Sequence, residues 1–152
     1  MTRAPIGVLL VEDDADLREA LAEYLEFNGC DVTGVGTGIG FYQALAGSAA
    51  DYQVALIDLG LPDQSGHVLA DYARRNTRVS IIVVTANDSL DTRIETYRTG
   101  ADLHMAKPLD SRELLAAVQA MHRRYYERLG AEKNPQAIAA TPWQLDLARR
   151  QL

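Results

Sequence analysis

Five short runs of β-branched and aliphatic residues punctuate the chain: "IGVLLV" (6–11), "DVTGVG" (31–36), "VALID" (54–58), "VSIIVVT" (79–85) and "LHMA" (103–106). The first, third and fourth are apolar at successive rather than alternate positions, which predicts strands covered on both faces and hence a parallel sheet. Between the runs the spacing of apolar residues becomes helical. In "DLREALAEYLEF" (16–27), Leu17, Ala20, Leu21, Tyr24 and Leu25 share one side, with Arg18, Glu19, Glu23 and Glu26 on the other. Asn28-Gly29 is a helix stop. Weaker helical patterns lie at 40–46, 66–75 and 88–98, and a clear one at 111–129 opens with Asp110 or Ser111 as N-cap ahead of Glu113.

The alternation of strand and helix predicts an α/β fold: a doubly wound, five-stranded parallel sheet with helices on both faces. Ligands of such sheets gather beyond the carboxyl ends of the strands, where strand order reverses. The residues that follow directly on strand ends are Glu12 and Asp13, Asp58, Thr85 and Lys107.

Length and composition narrow the picture. The 152 residues suffice for one domain with a real core and a remnant, not for two ordinary domains. With 47% hydrophobic and 24% charged residues, a net charge of −6 and a pI near 5.0, the chain is of soluble, globular type, and its own surface is a poor match for nucleic acid. Cys30 is the single cysteine, so no internal disulfide or thiolate metal cluster can form. Acidic residues end the first apolar run too early for a signal peptide, and no stretch approaches the roughly 20 apolar residues of a membrane span. A cytoplasmic location without membrane contact is the expectation.

Three consecutive carboxylates, Glu12, Asp13 and Asp14, repel one another and require compensation by solvent, a cation or a helix start. Asp13 and Asp58 suit a hard cation such as Mg²⁺, which is usually held by one or two carboxylates plus phosphate oxygens. The remaining oxygen of one carboxylate can then act as a nucleophile toward phosphorus, while Thr85 hydrogen-bonds one phosphoryl oxygen and Lys107 pairs with another. Each residue also has a plainer role open to it. Asp14 or Asp16 can favour the first turn of a helix, Asp58 can be a turn residue before "LGLP", Thr85 can end a strand, and Lys107-Pro108 can form a solvated turn. The glycine-rich "GVGTGIG" (34–40) lacks both the dinucleotide spacing and a P-loop Lys and reads as a loop.

Taken in order, "LLVEDDADLREAL", "ALIDLGLPDQSG", "IIVVTA" and "GADLHMAKPLD" make residues 5–128 resemble the receiver domain of two-component response regulators. The resemblance implies a flavodoxin-like, CheY-like fold and an acidic pair at Glu12 and Asp13. It implies a phosphoacceptor at Asp58 and a backbone carbonyl offered to Mg²⁺ by Gly60. It further implies switch and catalytic roles for Thr85 and Lys107, a Lys107-Pro108 bond held cis, and a sensor histidine kinase as phosphoryl donor, recognised on the first helix near Asp16 to Ala20. On phosphorylation an aromatic residue of the fifth strand is expected to rotate inward; that position is His104, whose imidazole is smaller than a phenol and can titrate near neutral pH. Gly60 has no side chain to orient a hydrolytic water, so slow self-dephosphorylation is expected.

The chain's end carries its own resemblance. "GAEKNPQAIAATP" reads as a linker and "WQLDLARRQL" is similar to the opening strands of the winged-helix effector of the OmpR/PhoB subfamily. This places a receiver at 1–129, a linker at 130–141 and the start of an effector at 142–152. DNA contact would then come only through a C-terminal domain missing here, and the chain reads as a piece of a longer transcriptional regulator. A natural single-domain regulator with a vestigial tail is the competing view.

The subfamily resemblance also implies a phosphorylation-driven homodimer through the fourth helix, fifth strand and fifth helix. Arg93 and Glu113 match one charge pair of that face, Leu103 and Ala117 replace a second pair, and Arg124 keeps half of a third opposite Thr99. Two other functions stand beside the signalling one. A phosphatase of the haloacid dehalogenase type would use "DAD" (14–16) as its D-x-D, although its nucleophile follows the first strand. A receiver that is never phosphorylated would serve only for docking. In the signalling reading the protein is not an enzyme beyond self-phosphorylation and self-dephosphorylation.

Overall fold

The computed structural model describes residues 4–133. Strands β1 (Ile6–Val11), β2 (Cys30–Val35), β3 (Val54–Asp58), β4 (Ser80–Thr85) and β5 (Leu103–Ala106) alternate with helices α1 (Ala15–Phe27), α2 (Gly38–Ser48), α3 (Gly66–Asn76), α4 (Leu90–Arg98) and α5 (Ser111–Lys133). All strand pairs are parallel, in the order β2-β1-β3-β4-β5. The order reverses between β1 and β3, which makes their carboxyl ends the place where a flavodoxin-like sheet binds its ligand.

Side-chain alternation along the central strands builds two cores. Leu9 and Val11, Ala55 and Ile57, Ile81 and Val83 face Phe41, Leu45, Leu69 and Ala73 of α2 and α3. Val8 and Leu10, Val54 and Leu56, Ile82 and Val84 face Leu21 and Leu25 of α1 and Leu114 and Val118 of α5. Burial on both faces explains why these strands are apolar without interruption, and each enclosed Leu, Ile or Val contributes roughly 1.5–3 kcal/mol. A one-residue slip would exchange the two cores wholesale, so the register that aligns Asp58 with Val84 is strongly held.

Helix α4 is seated differently. Its one buried residue is Thr96, while Leu90, Ile94 and Tyr97 are exposed around a groove of about 420 Å³ that also includes Asp88, Arg93 and His104. Few apolar contacts hold this helix against β5, which explains why its apolar spacing in the sequence is weak.

Two expectations need correction. The glycine-rich stretch 34–40 is not a loop: Gly34 and Val35 close β2, and Gly38 to Gly40 open α2. Caps outweigh the poor helix propensity of glycine there. Thr37 Oγ1 accepts from Gly40 N at 3.0 Å, and the Asp63 carboxylate accepts from Gly38 N at 2.9 Å and Ile39 N at 3.1 Å. The Gly38 amide, with that of Ile39, holds the Asp63 carboxyl below its usual range. Helix α5 also runs to Lys133 rather than ending at 129, so the first residues assigned to the linker are helical. Ala131, Glu132 and Lys133 are strong helix formers, and one internal glycine does not stop them. Residues 134–141 and 142–152 lie outside the described residues, as does the effector resemblance they carry.

Candidate functional site

The acidic triplet after β1 divides its work. Asp14 is the N-cap of α1, its Oδ1 accepting from Asp16 N at 3.0 Å and Leu17 N at 3.2 Å. The "DAD" pattern is thus used as a helix start. Glu12 turns inward and is 3% exposed, whereas Asp13 faces solvent. Arg18, one turn into α1, ties the corner by donating from Nη1 to the Glu12 carbonyl at 2.6 Å.

Asp58 closes β3 and is 6% exposed. Ligand oxygens of Glu12, Asp13 and Asp58 all lie within 4.8 Å of one another. Three converging hard carboxylate donors of this kind fit a Mg²⁺ ion, two of them backed by low-dielectric walls and one open to water for the ion's remaining hydration. The loop after Asp58 is drawn in by its own backbone: Gly60 N donates to Asp58 Oδ1 at 3.0 Å, and Leu59 N to Val84 O at 3.0 Å. Glycine is required at 66, where a Cβ would come within 2.6 Å of the Asp58 carbonyl and 2.8 Å of Leu59 Cα. This close approach holds the start of α3 directly against the end of β3.

The opposing charge comes from the residue that follows β5. Lys107 Nζ lies 2.8 Å from Glu12 Oε1 and 3.3 Å from Asp58 Oδ2, and the Lys107-Pro108 bond is cis. Burial raises the Glu12 pKa, assisted by the neighbouring Asp58 and opposed by the Lys107 hydrogen bond and the Asp14 amide. For Lys107, burial alone would favour the neutral amine; the hydrogen bond to Glu12 and the charges of Asp58 and Glu12 outweigh it and raise its pKa. The ammonium therefore stays charged between two largely enclosed acids. Thr85 ends β4 one residue beyond the partner of Asp58, is 5% exposed, and accepts from Asn87 N at 2.9 Å through Oγ1.

A response regulator receiver domain model matches residues 8–119. The chain belongs to the response regulator receiver family. Over 149 residues, 96% of its length, this receiver is 34% identical to the transcriptional regulatory protein GltR of Pseudomonas aeruginosa, of which it covers 60%. It is likewise 34% identical over 153 residues to the transcriptional regulatory protein PhoP of Escherichia coli, covering 95% of this chain and 62% of that one. The receiver thus spans about three fifths of the length of these curated relatives, which are regulators of the OmpR/PhoB type. Among solved structures, a CheY-like receiver domain protein from Methanospirillum hungatei superposes with a TM-score of 0.72 at 26% identity, covering 82% of this chain and 98% of that one. The receiver domain of a Francisella response regulator gives 0.71 at 28% identity, with 78% and 98% covered. Two-component signalling and transcription regulation are the setting of this family. No helix among the described residues is long and apolar enough to cross a membrane.

The residues expected at a dimer face lie on α4, β5 and α5. Arg93 Nε is 3.6 Å from Asp88 Oδ1. Leu103 and Ala117 are half-buried against the α1–α5 core, which accounts for their apolar character within a single chain. Arg124 Nε donates to Asp102 Oδ1 at 2.8 Å, leaving its terminal nitrogens for any further partner. Glu113 stands in the first turn of α5, where Asp110 caps the helix through Arg112 N at 2.8 Å. Sequence reasoning did not reach His67, Asp88, Thr96, Asp102, Arg74 or Arg128, and it gave Arg124 a dimer contact rather than its place beside Asp102. Their contacts join elements 8 to 29 residues apart with no periodic signature.

Proposed function

We propose that Asp58 accepts a phosphoryl group from a sensor histidine kinase, with Mg²⁺ held by Glu12, Asp13, Asp58 and the Gly60 carbonyl. The observation that carries this is the convergence of Glu12, Asp13 and Asp58 around the Lys107 ammonium at the switch point of the sheet. An Asp58 carboxylate oxygen attacks phosphorus, forming the O–P bond as the N–P bond of the phosphohistidine breaks and its electron pair returns to the imidazole. The carboxylate is already ionised, so no base is needed. A bound Mg²⁺ supplies neutralisation of charge on the phosphoryl oxygens; Lys107 and the Thr85 hydroxyl each bind a further oxygen. Asp16, Glu19 and Ala20 are exposed on α1, where kinase recognition is expected.

The altered α4–β5–α5 face then controls a homodimer and, through residues downstream of α5, a DNA-binding transcriptional output in the cytoplasm. Alignment with full-length transcriptional regulators over 95% or more of this chain supports that assignment of the 142–152 segment. Incubation with acetyl phosphate and Mg²⁺ is expected to give one phosphoryl adduct by intact mass, absent after chelation and in Asp58→Asn. An adduct that persists in Asp58→Asn would refute the reading. Sedimentation with Mg²⁺ and beryllium fluoride is expected to shift the chain from monomer to dimer, and Arg93→Glu to prevent the shift. An unchanged mass across micromolar concentrations would remove the dimer.

A further inference from the structure

The seat of α4 is a chain of polar side chains. Thr96, fully buried, places Oγ1 3.0 Å from His67 Nε2 and 3.4 Å from His104 Nδ1. The other ring nitrogen of His104, Nε2, is 3.0 Å from Asp88 Oδ1, and the side chain is 4% exposed. The ring therefore sits inside the domain.

Donor and acceptor rules give the chain a direction. An ionised carboxylate only accepts, so His104 Nε2 carries the proton. In the neutral ring Nδ1 is then an acceptor, and it takes the hydroxyl proton of Thr96. A hydroxyl has one proton to give, so Thr96 can only accept from the second imidazole, and His67 Nε2 must be protonated in turn. One carboxylate at the end of the chain sets the tautomer of both rings. Arg93 Nε lies 3.6 Å from the same Asp88 oxygen.

We propose that Asp88 and Thr96 are positioning residues that, with His67 as the far donor, lock the His104 ring inward in its Nε2–H form. For its bearing on signalling this rests on His104 being the switch position.

Long-range ¹H–¹⁵N spectra of the imidazoles in the full 152-residue chain, at pH 7.5, test the lock. Expected are a single Nε2–H tautomer at both His67 and His104 without Mg²⁺ or phosphodonor, unchanged when Mg²⁺ and beryllium fluoride are added. Thr96→Val, which cuts the relay but leaves Asp88 on His104, should lose the single tautomer at His67 and Thr96→Ser should restore it, a rescue that simple packing would not produce. Asp88→Ala, at a half-exposed position that folding tolerates, should release His104 even where Thr96→Val fails to fold. An Nδ1–H ring at His104, a mixture in the unaltered chain, rings unmoved by Asp88→Ala, or a His104 tautomer that appears only with beryllium fluoride would each overturn the proposal. If beryllium fluoride shifts neither the Thr85 nor the Lys107 amide signals, the phosphoacceptor reading fails while the lock stands.

Discussion

Replacing Asp102 with Ala is expected to lower the folding free energy by about 3–5 kcal/mol, the range found when one member of a buried ion pair is removed and the other is left behind. Asp102 lies at the amino end of β5, and its side chain is 5% exposed. Oδ2 accepts from Arg74 Nη2 at 2.7 Å and Ile81 N at 2.8 Å; Oδ1 accepts from Arg124 Nε at 2.8 Å and Arg128 Nη2 at 2.9 Å. One carboxylate thus gathers α3, β4 and α5 onto β5. Arg74 also donates to the carbonyls of Gly100 and Val79, and burial, joined by the charges of Arg128 and Arg124, pushes its pKa down against the pull of Asp102. Without Asp102 these guanidiniums face one another with no counter-charge, and the Ile81 amide loses its acceptor.

For a domain of this size the loss corresponds to a fall in melting temperature of roughly 10–20 °C. Urea titration should show a lower midpoint with an unchanged slope. Arg124→Ala is the contrasting case. Its side chain is 55% exposed, so its arm of the cluster is screened and should contribute less than about 1 kcal/mol. Equal losses in the two variants would show that the cluster is a surface network rather than a clamp around a buried charge.

Such a hub was invisible in the sequence, and the reason is physical. Its arginines stand 22 to 28 residues from Asp102, and nothing in local spacing distinguishes them from solvated charges on helix faces. Apolar periodicity, by contrast, reports burial directly. It located β1, β3 and β5 at the observed bounds, and β2 and β4 within one residue. The strand-end rule then pointed to Glu12, Asp13, Asp58, Thr85 and Lys107, because a parallel sheet brings its carboxyl ends together wherever the helices go. Helix starts were less legible. Asp88 was read inside α4, yet Ser89 caps that helix, accepting from Thr92 N at 3.2 Å, which frees the Asp88 carboxylate for His104. The acidic triplet shows the same limit: the sequence left the helix start open between Asp14 and Asp16, and only the turn into α1 makes Asp14 the cap and leaves Glu12 and Asp13 beside Asp58.

Lys107→Ala is expected to separate cation binding from phosphoryl transfer. The ammonium contacts both Glu12 and Asp58, and in its absence two largely enclosed carboxylates and the nearby Asp13 are left facing one another. Mutual repulsion should make the apo domain less stable and the Mg²⁺-bound domain relatively more favourable, since the ion becomes the main neutralising charge. Stabilisation by a ligand grows with its concentration over its dissociation constant, so the rise in melting temperature on adding Mg²⁺ should be larger in the variant than in the unaltered chain. Transfer from acetyl phosphate to Asp58 should nonetheless fall by about 10²–10³-fold, the usual loss when one donor to a developing oxyanion is removed. A general unfolding defect would depress both quantities together, and a purely structural lysine would leave the transfer rate unchanged once Mg²⁺ had restored stability. Tighter Mg²⁺ response with slower transfer is the combination that only a phosphoryl-binding ammonium produces.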